Sequence, residues 1–505
     1  MSIWNKDNFN RDNSKFEKLD KNITTDVCVI GGGITGISTC YYLNNENVDF
    51  CLIEKDSLLC KTSSHSTAKI TFHHDIIYRY LIDSYGLDFA KGYYLSNNEA
   101  VNNIINIIKK ENIDCDLKIQ DNYIYTTKQE KVSALKDEVS ALNKLGANCE
   151  YLNTIPLPLN NIVSGLKVSN QASFNPVKYA YGLVNTFYKK NNIYENTTIV
   201  NISSTNNGYI VSTDEGFKIN CKYIVMATKY PIKDIPGFHF LKMYQETSYI
   251  IAIKTKEKIF EDMFISCDRP ALSFRNAKFN NEDVLLVGGN SHKTGENISL
   301  TDRYNILIDT AKSIYPDLKI IDKWNTEDCI SLDKIPYIGS FSSLMENVFI
   351  STGFKKWGIS TSNVASNIIC DKIVGRKNNY EKIYNSTRFR PIKNRKEVYN
   401  MLKQTANSMV INKFKIKKDK LSSIESNTGK IIKINEKLVG IYKDNDSKIY
   451  AVSPICTHLG CLLKFNDLDK TWDCPCHGSR FDYNGNNLYN PAYKSLDKID
   501  IDKIY

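Results

Sequence analysis

The amino-acid sequence predicts an α/β domain of the doubly wound type with an interleaved α+β part, followed by an all-β domain. Three observations support this prediction. A strand, a glycine turn, a helix and a second strand occupy residues 24–54, strands and helices then continue to about residue 375, and short strands surround clustered Cys and His after residue 420. Continuous apolar runs indicate buried strands, whereas short strands separated by turn signals favour an all-β domain.

Length and composition indicate a globular protein of several domains. The chain has 505 residues, of which 42% are hydrophobic and 24% charged. This length is too great for a single compact core. No apolar run approaches the ~20 residues of a membrane span, and the polar N-terminus lacks a secretion signal. The net charge of +10 is scattered, which argues against a nucleic-acid partner. We therefore expect a soluble, cytoplasmic protein.

A βαβ unit begins the α/β domain. Residues 24–30, TTDVCVI, form a β-branched apolar run that predicts a buried strand. Three glycines then lead into a predicted helix over 34–43, and VDFCLIE at 48–54 predicts the neighbouring strand. Strand, helix and strand within ~30 residues are typical of a βαβ unit.

The glycine loop has the spacing of a dinucleotide-binding loop. Gly31 permits the tight turn, Gly33 lets the backbone approach a pyrophosphate, and Gly36 lets the helix pack closely on the strand. The helix N-terminus offers N–H groups to the phosphates. Glu54, at the end of the second strand, is placed to accept hydrogen bonds from ribose hydroxyls. An ordinary glycine turn is the alternative, and the loop alone does not separate FAD from NAD.

Periodicity predicts the remaining elements of the first 375 residues. Helices are expected over 97–110, 128–145 and 358–374, and strands recur over 197–228 and 240–300.

Four later segments carry a family resemblance: CKTSSHSTAKIT at 60–71, KYIVMATK at 222–229, DKIPYIG at 333–339 and STGFKKWGISTS at 351–362. With the glycine loop, they make the chain resemble the FAD-dependent D-amino-acid oxidase/glycine oxidase superfamily over about residues 24–375. The resemblance implies a Rossmann-type FAD-binding domain with an interleaved α+β substrate domain.

The resemblance also implies the residues that contact FAD. Residues 63–69 would run along the pyrophosphate, the strand ending at Thr228 would lie beside the cofactor, and the last turn would bring a helix N-terminus to the flavin pyrimidine edge. A helix dipole there would stabilise negative charge on the reduced ring. The implied cofactor-binding residues are Gly31, Gly33, Gly36, Glu54, Ser64, Thr67, Ala227, Thr228, Gly353, Phe354, Trp357, Gly358 and Ile359.

Several residues depart from the family pattern. Lys229 replaces the glycine expected after Ala-Thr, Lys69 stands where a small residue is usual, and Lys356 adds a cation to the last turn. A lysine at the ring would stabilise anionic reduced flavin or block substrate. Some relatives attach flavin to a histidine in the segment containing His65, although a phosphate or ribose neighbour is the simpler interpretation.

Lys69, Arg275 and His292 are the candidate catalytic residues. Arg275 in LSFRNA would pair a substrate carboxylate bidentately. His292 in GGNSHKTG would act in acid/base chemistry. A structural or surface role is the alternative for each, and the pair His73–His74 is a weaker candidate.

The C-terminal part holds a mixed Cys/His motif. Cys456-x-His458 and Cys474-x-x-His477 are separated by fifteen residues. A [2Fe–2S] cluster with two Cys on one iron and two His on the other needs this set of ligands. Zinc also accepts two Cys and two His, but its usual pairs are of one residue type. The mixed pairs favour a Rieske centre, with zinc as the alternative.

The two motifs, CTHLGC and CPCHGS, closely resemble the Rieske proteins of cytochrome bc-type complexes over about residues 420–505. This resemblance implies a disulfide between Cys461 and Cys476 that holds the two ligand loops together. It also implies that Ser479 donates a hydrogen bond to a cluster sulfur, whereas Phe481 replaces the usual Tyr. With one donor missing, we expect a potential within roughly −150 to +300 mV, below that of the quinol-oxidising relatives.

Pro491-Ala492 resembles the proline loop that covers the cluster in the same proteins, but Asn490 stands where Gly is common. The sequence thus predicts an oxidoreductase domain over residues 1–395, a linker over 396–420 and a Rieske domain over 421–505. The FAD-binding parts are expected at about 24–80, 170–235 and 330–375, and the substrate-domain parts at about 81–169 and 236–329.

The two cofactors together predict a FAD-dependent dehydrogenase. It would oxidise the C–N bond of a small amine or amino-acid-like substrate and pass electrons singly to the Rieske cluster and an external acceptor protein. The alternative is an electron-transfer or redox-sensing protein that relays charge from a donor protein without a small substrate. A Rieske oxygenase would need a further iron site of two His and a carboxylate, which the sequence does not offer.

Overall fold

The protein is described by a computed structural model, which covers residues 2–7, 16–188, 192–296, 301–388, 405–411 and 418–501 and positions 399, 403, 413 and 416. The described α-helices are α1 (Ile3–Lys6), α2 (Ile34–Asn45), α3 (Tyr78–Tyr85), α4 (Leu87–Lys110), α5 (Val132–Lys144), α6 (Pro176–Phe187), α7 (Thr301–Ile314), α8 (Gly358–Ile373) and α9 (Glu381–Tyr384). Within the described part of the chain, no helix has the length and apolar character needed to cross a membrane.

The described strands fall into four sheets. They are β1 (Ile23–Ile30), β2 (Phe50–Ile53), β3 (Lys69–Ile70), β4 (Lys118–Thr126), β5 (Cys149–Leu152), β6 (Ser164–Ser173), β7 (Asn192–Tyr194), β8 (Ile199–Thr205), β9 (Gly208–Thr213), β10 (Lys218–Met226), β11 (Met243–Lys254), β12 (Met263–Ser266), β13 (Leu272–Phe279), β14 (Glu282–Lys293), β15 (Lys319–Ser331), β16 (Tyr337–Ser342), β17 (Met345–Thr352), β18 (Thr428–Ile434), β19 (Lys437–Lys443), β20 (Ile449–Val452), β21 (Lys464–Asn466), β22 (Thr471–Asp473), β23 (Arg480–Asp482) and β24 (Asn487–Tyr489).

The first sheet confirms the predicted doubly wound α/β fold. Its strand order is β16-β17-β10-β1-β2-β7, with the hairpin β8-β9 beside β10. The five strands from β17 to β7 are parallel, and Ile30 pairs with both Ile53 and Met226. Their carboxyl ends therefore meet at one edge, which is where ligands bind in such sheets.

Helices α2 and α8 pack on this sheet and on each other, with Thr39 Oγ1 3.1 Å from Ser366 Oγ. Both follow parallel strands, so both N-termini reach the ligand-binding edge. The helix predicted over 97–110 begins ten residues earlier, at Leu87. Ala90, Tyr93 and Tyr94 extend its buried face in that direction.

The second sheet is the predicted substrate domain. Its order is β15-β11-β14-β13-β12-β4-β6-β3, with β5 beside β6. The short strand β3, within the segment predicted to be FAD-binding, pairs with Ser173 and Ala172 of this sheet. The segment after the glycine loop therefore connects the two sheets.

The C-terminal part is all-β, as predicted. It has a three-stranded sheet, β18-β19-β20, and a four-stranded sheet, β21-β22-β23-β24. The predicted Asn484-Gly485 turn joins β23 and β24, and Gly485 has a positive φ of 84°. Eleven of the 25 residues of the predicted linker, 396–420, lie outside the described residues.

Candidate functional site

A cavity of about 360 Å³ lies where the two large sheets meet the C-terminal domain. Loops at the carboxyl edge of the first sheet form one wall, including Gly31 and Ala227. Ile250 and Ser273 of the second sheet form another, and Tyr489 of the C-terminal domain closes a third side. The cavity is therefore built by three separate parts of the fold.

The glycine loop has the geometry that its spacing predicts. Gly31 has φ of 114°, and a Cβ there would lie 2.7 Å from Ala227 O. A Cβ on Gly36 would lie 1.9 Å from Gly31 O, so this residue allows helix α2 to pack on the loop but does not line the cavity. Gly33 does line it. Side chains are thus excluded where a pyrophosphate would approach.

Glu54 lines the cavity at the end of β2. Its Oε2 accepts a 2.7 Å hydrogen bond from Gly32 N, and its Oε1 accepts one of 2.9 Å from Asp56 N. Burial raises the pKa of this carboxyl. The two amides fix the carboxylate at the position from which it would accept from a ribose.

Ser63, and not the predicted Ser64, faces the cavity. Ser63 Oγ accepts a 3.0 Å hydrogen bond from Ile34 N at the start of α2. Ser64 is turned away, and its Oγ accepts from Asn5 Nδ2 at 2.9 Å. A single 3₁₀ turn over Thr62–His65 points neighbouring side chains in different directions, which the sequence did not reveal. Thr67 lines the cavity as expected.

His65, considered for flavin attachment, and His73 and His74, the weaker catalytic candidates, do not line the cavity. His65 Nδ1 lies 2.7 Å from Lys61 O, and because the residue is not part of the cavity wall, its position does not support a covalent link to flavin. His74 is stacked behind Trp357, with ring centroids 4.9 Å apart. Burial lowers the pKa of both His73 and His74 to about 3, so they are neutral packing residues.

The last glycine turn brings the N-terminus of α8 to the cavity. Gly353 has φ of 71°, and α8 begins at Gly358. The predicted cofactor-binding residues that line the cavity are Gly31, Gly33, Glu54, Thr67, Ala227, Thr228, Gly353, Phe354, Trp357, Gly358 and Ile359. The positive end of this helix is suited to the anionic edge of a reduced flavin.

Three hydroxyls in the cavity wall indicate that the cavity holds a polar ligand. Ser248 Oγ, Thr326 Oγ1 and Ser351 Oγ are buried without a hydrogen-bond partner. Buried polar groups are normally hydrogen-bonded, so donors left free in a cavity wall point to a missing partner. Together with the glycine loop and two helix N-termini, these residues fit FAD.

Lys69 lines the cavity beside these hydroxyls. Its Nζ donates 2.8 Å hydrogen bonds to Phe264 O and Ser273 Oγ. Burial, and then the nearby Arg275 guanidinium, lowers the pKa of Lys69 well below its usual range. These surroundings therefore disfavour the charged form of the amine.

The contacts of Arg275 contradict the predicted carboxylate-binding role. Its side chain is buried but does not line the cavity. Nη1 donates to Thr67 O, Ala68 O and Phe174 O at 2.7–3.1 Å. Because backbone carbonyls accept hydrogen bonds from its Nη1 and Nε, Arg275 supports the cofactor segment from behind.

His292 is also absent from the cavity wall, in contrast to its predicted acid/base role. It follows Ser291, which lines the cavity, and alternate residues of a strand face opposite sides. Its ring stacks on Tyr249 with centroids 5.8 Å apart. Burial lowers the pKa of His292 to about 4.

The C-terminal loops bring the predicted cluster ligands together. Cys456 and Cys474 are buried, and a hydrogen bond from Cys474 lowers the pKa of Cys456 to about 6. The rings of His458 and His477 lie 5.1 Å apart at 88°. Both Nδ1 atoms are buried without a partner. Two adjacent sulfurs and two unpaired imidazole nitrogens fit a Rieske [2Fe–2S] cluster.

The predicted disulfide Cys461–Cys476 is confirmed and joins the two ligand loops. The Ser479 hydroxyl hydrogen-bonds to Cys456, and its Oγ accepts a 3.0 Å bond from Ala492 N of the proline loop. Phe481 is fully buried in the domain core and supplies no hydroxyl. Position 481 thus lacks the hydroxyl donor that the usual Tyr would supply, as the sequence predicts.

The cluster loops face the oxidoreductase domain. His458 Nε2 donates a 2.7 Å hydrogen bond to Asp234 Oδ2, since its Nδ1 is the atom left for a metal. The Phe240 ring lies edge-on to His458 and His477, at 6.2 and 5.7 Å. The proline-loop segment Tyr489–Asn490 lines the cavity. One loop therefore contacts both candidate cofactor sites.

Sequence reasoning missed the residues that join the two sites. Asp234 and Phe240 lie in a segment without a recognisable motif, and Tyr489 stands two positions before Pro491. The mixed Cys/His pairs predicted a cluster, but nothing local to them indicated which surface they would face.

Two family models match the chain. The model described as FAD dependent oxidoreductase matches residues 26–372, and the model described as Rieske [2Fe-2S] domain matches residues 415–500. The putative Rieske 2Fe-2S iron-sulfur protein YhfW of Bacillus subtilis is 35% identical over 96% of each chain. Gamma-glutamylputrescine oxidoreductase of Escherichia coli is 20% identical, over 73% of this chain and 88% of its own.

The solved structure of glycine oxidase from Geobacillus kaustophilus has a similar fold. It gives a TM-score of 0.62 at 15% identity, covering 73% of this chain and 100% of that one. At this identity the likeness concerns the fold alone. The fold agrees with the FAD-binding and substrate domains described above.

Proposed function

This chain belongs to the FAD-dependent oxidoreductase family and carries a Rieske [2Fe–2S] domain, and from this premise we propose a specific reaction. The enzyme oxidises the C–N bond of a small amine or amino-acid-like substrate and passes the electrons singly to the cluster and an external acceptor. Bound FAD supplies two-electron oxidation, and the cluster supplies one-electron transfer.

One observation carries the proposal. The segment 488–493 of the Rieske domain lines the cavity with Leu488, Tyr489, Asn490 and Tyr493, and its Ala492 N bonds to Ser479 beside Cys456. A cavity that fits FAD and loops that fit the cluster therefore share one wall. This arrangement supports electron transfer within the chain.

The chemistry of the cavity supports an amine substrate. Among the described residues that line it there is no arginine and no histidine, so a bidentate carboxylate anchor is missing. Two similar proteins are named as a gamma-glutamylputrescine oxidoreductase and a glycine oxidase. These names support a nitrogen-containing substrate without identifying it.

Lys69 is suited to accept the ammonium proton of such a substrate. A neutral amine has two N–H groups and one lone pair, and Phe264 O and Ser273 Oγ already accept the two hydrogens. The lone pair is left to take a proton, which makes the substrate nitrogen neutral and prepares its C–N bond for oxidation.

Anaerobic titration tests the proposed function. Small amines and amino acids are added to the purified protein while flavin absorbance and the EPR signal of the reduced cluster are recorded. We expect at least one amine to bleach the flavin and produce the EPR signal. Reduction by protein donors or dithionite alone would establish the alternative, a carrier without a small substrate. Bleaching without any cluster signal would contradict transfer within the chain.

A further inference from the structure

A buried ion network joins the Rieske domain to the oxidoreductase domain. Arg480 of β23 has a side chain 3% exposed, and its Nη1 lies 3.1 Å from Oε1 of Glu327, which is 1% exposed. This contact joins the two domains. The two atoms are close enough for an ion pair, but they are not aligned for a hydrogen bond. Asp473 and Asp469 of the Rieske domain bind the other guanidinium nitrogens at 2.9 and 2.6 Å.

Glu327 also contacts the wall of the cavity. Its Oε2 lies 3.4 Å from Nζ of Lys229, a residue that lines the cavity. Lys229 Nζ in turn sits 4.8 Å from the ring centroid of Tyr489 in the Rieske domain. The carboxylate therefore lies between a cation of the cavity wall and a cation of the cluster domain. Burying this carboxylate without both cations would cost free energy, because its charge would lack compensation.

Gln245 of β11 makes a second, independent connection. It is 1% exposed, and its Nε2 donates 2.8 Å hydrogen bonds to His477 O and Asn490 O. One side-chain amide thus satisfies a carbonyl of a cluster ligand and a carbonyl of the proline loop. A Cβ added at Gly478 would lie 2.6 Å from Gln245 Cβ, so the surfaces are in close contact here.

We propose that Glu327 and Gln245 are positioning residues that dock the Rieske domain on the oxidoreductase domain and thereby set the rate of electron transfer from FAD to the cluster. One electron moves in this step, from the reduced flavin, which loses it, to one ferric ion of the cluster, which becomes ferrous. The inference rests on the proposed function for the electron route, but it does not depend on the substrate.

The test reduces the flavin with light and EDTA, which is oxidised as the sacrificial electron donor, so no substrate is needed. Full-length protein with both cofactors is photoreduced anaerobically, and the cluster signal is followed by freeze-quench EPR. Glu327→Gln removes the charge at constant shape, and Gln245→Leu removes both donors. Glu282→Gln is the matched control, because Glu282 forms an exposed pair with Lys254 on the same sheet. We expect about tenfold slower cluster reduction in both test variants and no change in the control.

Hydrogen–deuterium exchange supplies a readout independent of electron transfer. Residues 240–247 and 488–493 should exchange faster in both variants, whereas the g values and iron content of the cluster stay the same. Glu327→Asp, which keeps the charge, should recover part of the rate. A residue with a merely local structural role would alter the cluster or the FAD content instead.

The outcomes separate the two proposals. A wild-type cluster signal with unchanged rates and exchange in Glu327→Gln and Gln245→Leu would overturn the docking role alone. No cluster signal in the photoreduced wild type would overturn the electron route of the proposed function. If one variant fails to fold, the other still decides, because the two contacts share no residue.

Discussion

The predicted Rieske ligands all lie within residues 456–477, on two loops joined by one disulfide, whereas the cavity wall takes residues from position 30 to position 493. The cluster site is thus assembled by local chain geometry, and the cavity by the packing of two sheets and a third domain. We therefore expect that damage to the cavity leaves the cluster loops intact, and that loss of a cluster ligand leaves most of the cavity intact.

The largest expected effect is loss of a ligand. Cys474→Ser replaces one of the two buried sulfurs, and we expect nearly complete loss of iron and of the cluster EPR signal with FAD retained. Iron, sulfide and flavin are measured on the same sample. Cys370→Ser, a buried cysteine of α8 outside the motif, is the control and should keep its iron. Full iron content in Cys474→Ser would contradict the ligand assignment.

The complementary change affects the cavity. Gly31→Val introduces a Cβ 2.7 Å from Ala227 O at φ of 114°, and positive φ alone costs a β-branched residue about 1–3 kcal/mol. We expect loss of FAD while the iron content stays the same. Gly146→Ala, with φ of 94° and no atom within 4 Å, is the control for strain without a clash. If Gly31→Val retains FAD, the glycine loop is not the cofactor loop.

Removing the disulfide should have a smaller effect. The double change Cys461→Ser and Cys476→Ser opens a link with a sequence separation of 15, which corresponds to about 3 kcal/mol of stability. We expect cluster absorbance to be lost at lower temperature, with the flavin transition unchanged. Wild-type protein under reducing conditions should behave like the double variant. Equal transition temperatures would show that the two loops are held by packing alone.

The smallest effect concerns pH. Burial lowers the pKa of Lys69 in the folded state, whereas the unfolded value is about 10.4. Between these values the unfolded chain binds more protons, so the contribution of Lys69 to stability rises with pH and is lost as pH falls through the folded value. The unfolding free energy of the wild type should therefore rise from pH 7 towards pH 10 relative to that of Lys69→Met, which has no amine to titrate. A constant difference would show that Lys69 is not desolvated.

Sequence reasoning succeeded where a function depends on neighbours in the chain. The ligand loops, the disulfide and the glycine turn are each fixed within a short segment. It failed for Arg275 and His292, because a strand pattern shows that two faces alternate but not which face meets the cavity. The sequence predicted Ser64 at the cavity, where the structure has the neighbouring Ser63. The direction of a side chain in a single 3₁₀ turn depends on what packs around it.

A dinucleotide-type loop, two Cys/His pairs and an all-β C-terminal domain can be read from the amino-acid sequence. Spacing and residue type encode these features, since each depends on backbone geometry over a few residues. In contrast, the contact of His458 with Asp234, that of His477 with Phe240 and that of Glu327 with Arg480 become visible only in the folded chain. These contacts join residues more than one hundred positions apart, and they form because two folded surfaces bury complementary charge and shape, which no local pattern records.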